Sequence, residues 1–412
     1  MPKKQDDSYW LDRGIKQEKK INDAAKQVEQ KIIVAYRQAQ SYLTRQVRKL
    51  FSRAKQRYGM DEGETRALLN QTVQPDELVE LRKLADDVSH PELQESARKR
   101  LNGLAFKERI TRAEDLKAKS FLVSKQIASV QLDKSTEFYI DVIHDSYNET
   151  TAETIIRQVE QTKSDQIISV RNGKKHGSKI EASKQTQKRD VPIEVWNDPD
   201  IRSTDYEFKE LSTKYTKNIL DSHWHGSNYS KRIWKDTEAL AKRLEELFTV
   251  ESMTGMSEFE MAKAIATEFD RSIGVVQRLI RTEANYMANQ AKLKAWRDRG
   301  VKEYRLIAVL DLRTSEICQK KDGKIYLVSE AVVNGEAGTY PPFHPWCRTV
   351  AVAIIGKRSL TGKRIAHDPI SGKTITMEQR ETYDDWMNKL KQRYSKKEIE
   401  LQKKKLRNYR KK

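Results

Sequence analysis

Two cysteines, Cys318 and Cys347, are all that the 412 residues contain. So few thiols fit a reducing compartment and argue against a disulfide framework. The paired cysteines of a zinc ribbon are missing as well. No apolar run reaches about 18 residues, so no segment reads as membrane-spanning. The opening MPKKQDDSYW has no apolar stretch behind its lysines and is not expected to be a signal peptide. A Gly-rich phosphate loop, a serine elbow and a pair of catalytic carboxylates are all lacking, which weighs against the common nucleotide-binding and hydrolase classes.

Charge is what the chain has in excess. It carries 79 Lys and Arg against 60 Asp and Glu, a formal net charge of +19. Its sequence pI is near 9.5 and its mean hydropathy is −0.83. With 37% hydrophobic and 34% charged residues, it is too polar for one large core but suits long amphipathic helices. The expected fold is mainly α, with a small α+β C-terminal domain holding a compact antiparallel sheet of about three strands. The cationic excess implies an anionic partner, with nucleic acid the first candidate. A solvated lysine-rich helix face is the plain alternative.

Residues 10–58 read as one long helix. Ile21, Ala25, Val28, Ile32, Ala35, Ala39, Leu43, Val47 and Leu50 recur at three- and four-residue steps, and Gly59 is placed as a stop. It is either a bundle helix or an arm that docks on a partner. Shorter helices follow to residue 120, broken near Pro75 and Pro91. Residues 121–161 read as helix with an apolar face of Phe138, Tyr139, Val142, Ile143 and Tyr147. Residues 163–192 turn polar and read as an exposed loop or hairpin in which Lys174 and Lys175 are candidate phosphate contacts. Helix is expected again over 208–247, with Ser230 as an N-cap, and over 257–269 and 273–299, ending at Gly300. His223 and His225 form a pair, but Trp224, Tyr229 and Trp234 beside them suit packing better than metal. After Gly356 the chain is expected to form one amphipathic helix through Met377, Tyr383, Trp386, Leu390 and Tyr394. In its tail Lys403, Lys404, Lys405, Arg407, Arg410, Lys411 and Lys412 are candidate DNA contacts. The expected division is therefore 1–120, 121–195, 196–356 and 357–412.

The stretch 304–352 is different in character. Tyr304–Leu310, Ile325–Val328 and Thr349–Ile355 read as three strands. Between the first two, Asp322-Gly323 marks a tight turn. Cys318, His344 and Cys347 are candidate ligands of a structural zinc, with Asp311, water or nothing as the fourth. Two ordinary buried thiols and a turn-capping histidine are the alternative. Arg281 and Glu283, two apart on a helix, point to different faces. Glu283 is expected to reach an arginine of the following sheet, such as Arg313; a catalytic carboxylate, which would need a partner base and a pocket, is the alternative.

These residues carry a resemblance. Arg281, Thr282 and Glu283 on a helix are followed by Asp311, Arg313 and Thr314, then Cys318. Asp322, Gly323 and Lys324 come next, and last Pro341, Pro342, His344, Pro345, Cys347 and Arg348. In this order they resemble the phage head morphogenesis family, the Mu F-like minor head proteins, over about residues 196–356. Ser315 and Thr349 stand where many relatives carry cysteine. The resemblance implies a minor capsid protein, made in the bacterial host cytoplasm and ending inside the virion near the portal vertex. Its implied partners are the portal and a scaffold or capsid protein, and its positive charge adds non-specific double-stranded DNA. It is not expected to be an enzyme. The competing functions are a metal-dependent nuclease or toxin-like enzyme, for which Asp311, His344 and Cys347 would be the centre, and a general nucleic-acid-binding protein.

Overall fold

Apolar side chains at three- and four-residue steps wind the start of the chain into a 47-residue helix, α1 (Asp7–Arg53). Ala25, Ile32, Ala39, Leu43, Val47 and Leu50 form its buried stripe. The structure, a computed structural model, describes residues 7–54, 59–107, 109–170, 210–224, 226–356 and 362–409, without the side chains of 7–12, 76, 162–170 and 407–409. Prolines open the next helices but one, where their missing N–H costs nothing. After α2 (Glu62–Leu69) come α3 (Pro75–Asp86) and α4 (Pro91–Ala105). A 59-residue helix, α5 (Arg112–Val170), follows. Then come α6 (Thr213–Asp221), α7 (Tyr229–Leu247), α8 (Val250–Met253) and the 41-residue α9 (Glu258–Asp298). No helix among the described residues is long and apolar enough to cross a membrane.

The chain divides into two compact units, each gathered from separated stretches. One comprises Asn22–Ile140 and Leu220–Glu283 and is helical. Its core includes Tyr36 set edge-on to Phe269, with ring centroids 6.4 Å apart, and Tyr139 edge-on to Tyr229 at 5.2 Å. A buried acid interrupts the α1 stripe here. Glu29, 1% exposed, accepts two hydrogen bonds from Arg281, 2.5 and 2.8 Å long.

The other unit comprises Met1–Ile21, Asp141–Ile219 and Ala284–Lys412. It holds β1 (Glu303–Ile307), α10 (Glu316–Lys321), β2 (Ile325–Leu327) and β3 (Val350–Ile354). The sheet order is β2-β1-β3, antiparallel throughout. Tyr304 on the central strand faces Tyr326 on one side and Ala353 on the other. A three-stranded sheet needs a cover to be stable, and the end of α9 supplies it with Leu293 and Trp296. Trp296 stacks on Tyr304 at 6.0 Å, and Tyr340 closes edge-on to Tyr304 at 5.1 Å. α9 stops where Gly300 takes a φ of +68. The N–H of Val301 then reaches back to the carbonyl of Trp296 at 2.9 Å, a glycine-terminated helix end.

All three expected strands are present, within a mainly helical chain. Several local expectations are corrected. α1 ends at Arg53, and Gly59 is not its stop. A Cβ on Gly59 would lie 2.2 Å from the carbonyl oxygen of Gly255, so only glycine permits this approach of two backbones. α5 runs on to Val170, so residues 163–170 are helical rather than loop; 171–192, with Lys174 and Lys175, lie outside the described residues. α7 is capped by Asn228, whose side chain accepts the Lys231 N–H at 3.0 Å, and not by Ser230. The two helices expected over 257–299 are one, α9. Residues 311–324 contain α10 rather than turns alone.

The largest correction lies after Gly356. Met377 belongs not to a helix but to a hairpin of β4 (Lys363–His367) and β5 (Thr374–Glu378). Asp368 ties its turn, accepting the N–H of Ile370 and of Ser371 at 3.0 Å each. Two helices follow, α11 (Tyr383–Arg393) and α12 (Lys396–Tyr409). Ala366, Ile375, Met377, Tyr383, Trp386, Leu390 and Ile399 form a second core together with Leu310 from the loop after β1. Residues 362–409 are therefore a folded part of their unit, not a basic tail.

Candidate metal centre

The Cys318, His344 and Cys347 side chains converge. Their ligand atoms all lie within 4.8 Å of one another, and no other such group of His, Cys, Asp or Glu occurs among the described residues. α10 presents Cys318 from its first turn, because Ser315 caps that helix and accepts the Cys318 N–H at 3.3 Å. A turn closed by the Cys347 N–H and the His344 carbonyl, 3.1 Å apart, presents the other two. Within it Trp346 has a φ of +62, a left-handed conformation that side chains rarely adopt.

Cys318 Sγ lies 3.1 Å from His344 Nε2 and 3.8 Å from Cys347 Sγ. His344 Nδ1 lies 2.7 Å from the carbonyl oxygen of Pro345. A carbonyl can only accept, so Nδ1 carries the proton and Nε2 faces the thiols. That is how a metal-binding histidine is usually held. The Cys347 thiol, hydrogen-bonded to Cys318, pulls the Cys318 thiol below its ordinary range, and His344, Ser315 and Thr349 add to this. The same contact keeps the proton on Cys347, whose thiol is raised. Hydrogen bonding to Cys318 raises the His344 imidazole in turn.

Two sulfurs and one imidazole nitrogen, preset by a backbone hydrogen bond, fit zinc: soft donors, small separations and a fixed tautomer. Cys318, His344 and Cys347 would hold the ion, which would pin α10 to the turn before β3. Asp311 does not supply a fourth donor. Its carboxylate accepts from both arms of Arg348, at 2.6 and 2.7 Å, and from the Arg313 N–H at 2.9 Å. Those contacts outweigh the opposing effect of burial and hold its pKa below the usual carboxylate range.

The remaining motif residues serve as ties. Glu283 does not reach Arg313. It is 1% exposed, accepts the Trp224 indole N–H at 3.0 Å and pairs with Arg232. Burial raises its pKa and Arg232 opposes this. Arg313 is bound instead to Asp311. Trp224 thus has the packing role expected of it; His223 is exposed and His225 lies outside the described residues. Gly323 has a φ of +80, as the turn requires. Asp322 does more than turn the chain, because its side chain is fully buried. It accepts the Ala308 N–H at 2.7 Å and pairs with Arg364 of β4 at 3.0 Å. Arg364 also donates to the carbonyls of Ala308, at 2.6 Å, and Glu381, at 2.9 Å. The sequence offered no signal for Arg232 or Arg364, whose partners are 51 and 42 residues away. For Ser315 a signal existed: a serine three residues before Cys318 caps a helix that begins with that cysteine's turn.

Of the candidate DNA contacts, Lys404 and Lys405 are exposed on α12, while Lys403 pairs with Glu400 at 2.9 Å. The Arg407 side chain and Arg410, Lys411 and Lys412 lie outside the described residues.

Residues 241–352 match the model of a family described as phage Mu protein F like protein. No curated protein and no solved structure matches the chain. The matched stretch runs from α7 to β3 and includes α10 and all three candidate ligands. Over residues 241–352 the chain is thus similar to the phage Mu protein F-like family.

Proposed function

We propose that the protein is a minor head protein that acts in phage head morphogenesis without catalysing a reaction. It associates with the portal, contacts a scaffold or capsid protein, and reaches packaged DNA through its cationic surface. The observation that carries this reading is that the separated motif elements fall within the family match or pack against it as structural ties. Asp311 binds Arg348, Asp322 binds Arg364 and Glu283 binds Arg232. None of these acids is left over as a general base. A zinc at Cys318, His344 and Cys347 would act as a staple for a small sheet rather than as a reaction centre.

The DNA contact is supported by the net charge of +19 and by exposed lysines on α12. Such binding gains affinity from counterions released by phosphates and has little sequence preference. The head-family match supports a place in the virion, and association with the portal would put the chain at the portal vertex. Co-expression with the portal protein of the same phage tests the assembly reading. Co-purification, and incorporation into particles, is the expected result. Failure of both overturns it.

A further inference from the structure

The candidate metal centre has three protein donors, and the space beside it is open. A cavity of about 140 Å³ borders Cys318, His344 and Ser315, and Arg313 and Arg348 also line it. A water occupies about 30 Å³ in the liquid, so the cavity has room for a small anion or the tip of one acidic side chain. Cys347 is not among its lining residues, so the opening lies on the Cys318 and His344 side of the cluster.

Thr349 and Ser315 both border the cavity, and the Ser315 Oγ lies 2.8 Å from His344 Nε2. A neutral hydroxyl competes poorly with thiolate or carboxylate for zinc, and this one is already engaged by the Cys318 N–H. Asp311, the nearest acid in the motif, is held by Arg348. A zinc with three protein ligands keeps an exchangeable fourth position. Two guanidiniums line the cavity and share one carboxylate, Asp311, so one positive charge is left over to favour an anion there.

We propose that this centre binds an anionic donor from outside the chain at its fourth coordination position, through the cavity lined by Arg313 and Arg348. Ser315 positions the incoming donor and does not replace it. The donor chemistry is that of a carboxylate, a thiolate or a small inorganic anion. This rests on the reading of Cys318, His344 and Cys347 as metal ligands, and the test separates the two.

The purified full-length chain is loaded with Co²⁺ under reducing, oxygen-free conditions and its absorption spectrum recorded. A thiolate-to-cobalt charge-transfer band is expected, together with visible bands that shift on titration with thiocyanate and saturate. An acetyl-cysteine titration, set beside an acetyl-aspartate one, distinguishes a thiolate from a carboxylate source. In Ser315→Cys the fourth position is filled from within, and the bands should ignore thiocyanate. Arg313→Ala should keep the charge-transfer band and weaken thiocyanate binding by about tenfold, the loss of one charge-assisted contact. Charge transfer without any response to these anions overturns the open position and leaves the metal site standing. Absence of charge transfer in the wild-type chain overturns both. Because Arg313→Ala leaves every metal ligand in place, it decides the matter even where Ser315→Cys fails to fold.

Discussion

Arg348 holds Asp311 with both arms of its guanidinium, Nη1 to Oδ2 at 2.6 Å and Nη2 to Oδ1 at 2.7 Å. The pair ties the loop after β1 to the residue that follows Cys347. Asp311→Asn should lower stability by about 2 kcal/mol at neutral pH, the size of a charge-assisted hydrogen-bond pair. The folded pKa of Asp311 is depressed below its unfolded value of about 3.9. Its contribution is therefore complete above about pH 4 and is lost as pH falls through the folded value. Urea unfolding of both proteins at pH 7 and pH 3 should show the gap between them narrowing at the lower pH. An unchanged gap refutes the pairing.

Glu283 is buried with Arg232 and the Trp224 indole as its partners. Glu283→Ala leaves Arg232 without its acid and should cost about 3 kcal/mol. Arg232→Ala should cost a similar amount, and the double variant clearly less than the sum. Additive losses in denaturant unfolding contradict the coupling.

Zinc at the three-donor cluster makes stability depend on free metal. At a hundredfold excess over Kd the stabilisation is about 2.7 kcal/mol. A strong chelator should lower the melting temperature, and added zinc should restore it. Cys347→Ser should melt at one temperature with or without zinc. A wild-type chain at background zinc content, with melting indifferent to chelator, refutes the site.

Trp386 is fully buried in the core that follows the hairpin. Trp386→Ala should destabilise by about 3–5 kcal/mol and expose residues 362–409 to protease. In a solvated tail the same change would be nearly silent.

Lys404 and Lys405 stand exposed on α12. Replacing both with glutamate should weaken duplex DNA binding irrespective of sequence. It should also flatten the plot of log affinity against log salt by about 2, near one per phosphate contact. Gel shifts over a salt series measure both effects.

The central sheet could be read from the sequence because its outer strands are short apolar runs and Arg305 alone interrupts the apolar run from Tyr304 in the middle one. Tyr304, Leu306, Ala351 and Ala353 are buried as that pattern demands. The convergence of Cys318 with His344 and Cys347 was also legible, since the turn and the strands bring those positions together. The hairpin was not. In β4 the inward positions are Arg364 and Ala366, while Ile365 is 64% exposed. The apolar alternation therefore marks the wrong face, and the high charge masks the strand. The turn residues Asp368 to Gly372 were the better signal. The partners of Glu283 and Asp322 were beyond reach for another reason. A buried acid must find a cation somewhere, but nothing local says which arginine dozens of residues away will meet it.

The burial of Asp322 has a practical consequence for anyone who would excise the segment that matches the family. A fragment trimmed to residues 241–352 discards Arg364 and Arg232 and cuts β3 two residues before its end at Ile354. Two carboxylates would then lie stranded in apolar surroundings, and the middle strand would lose part of its edge. The segment shared with the family is thus not a self-sufficient module. Its charges are neutralised by flanking sequence on both sides.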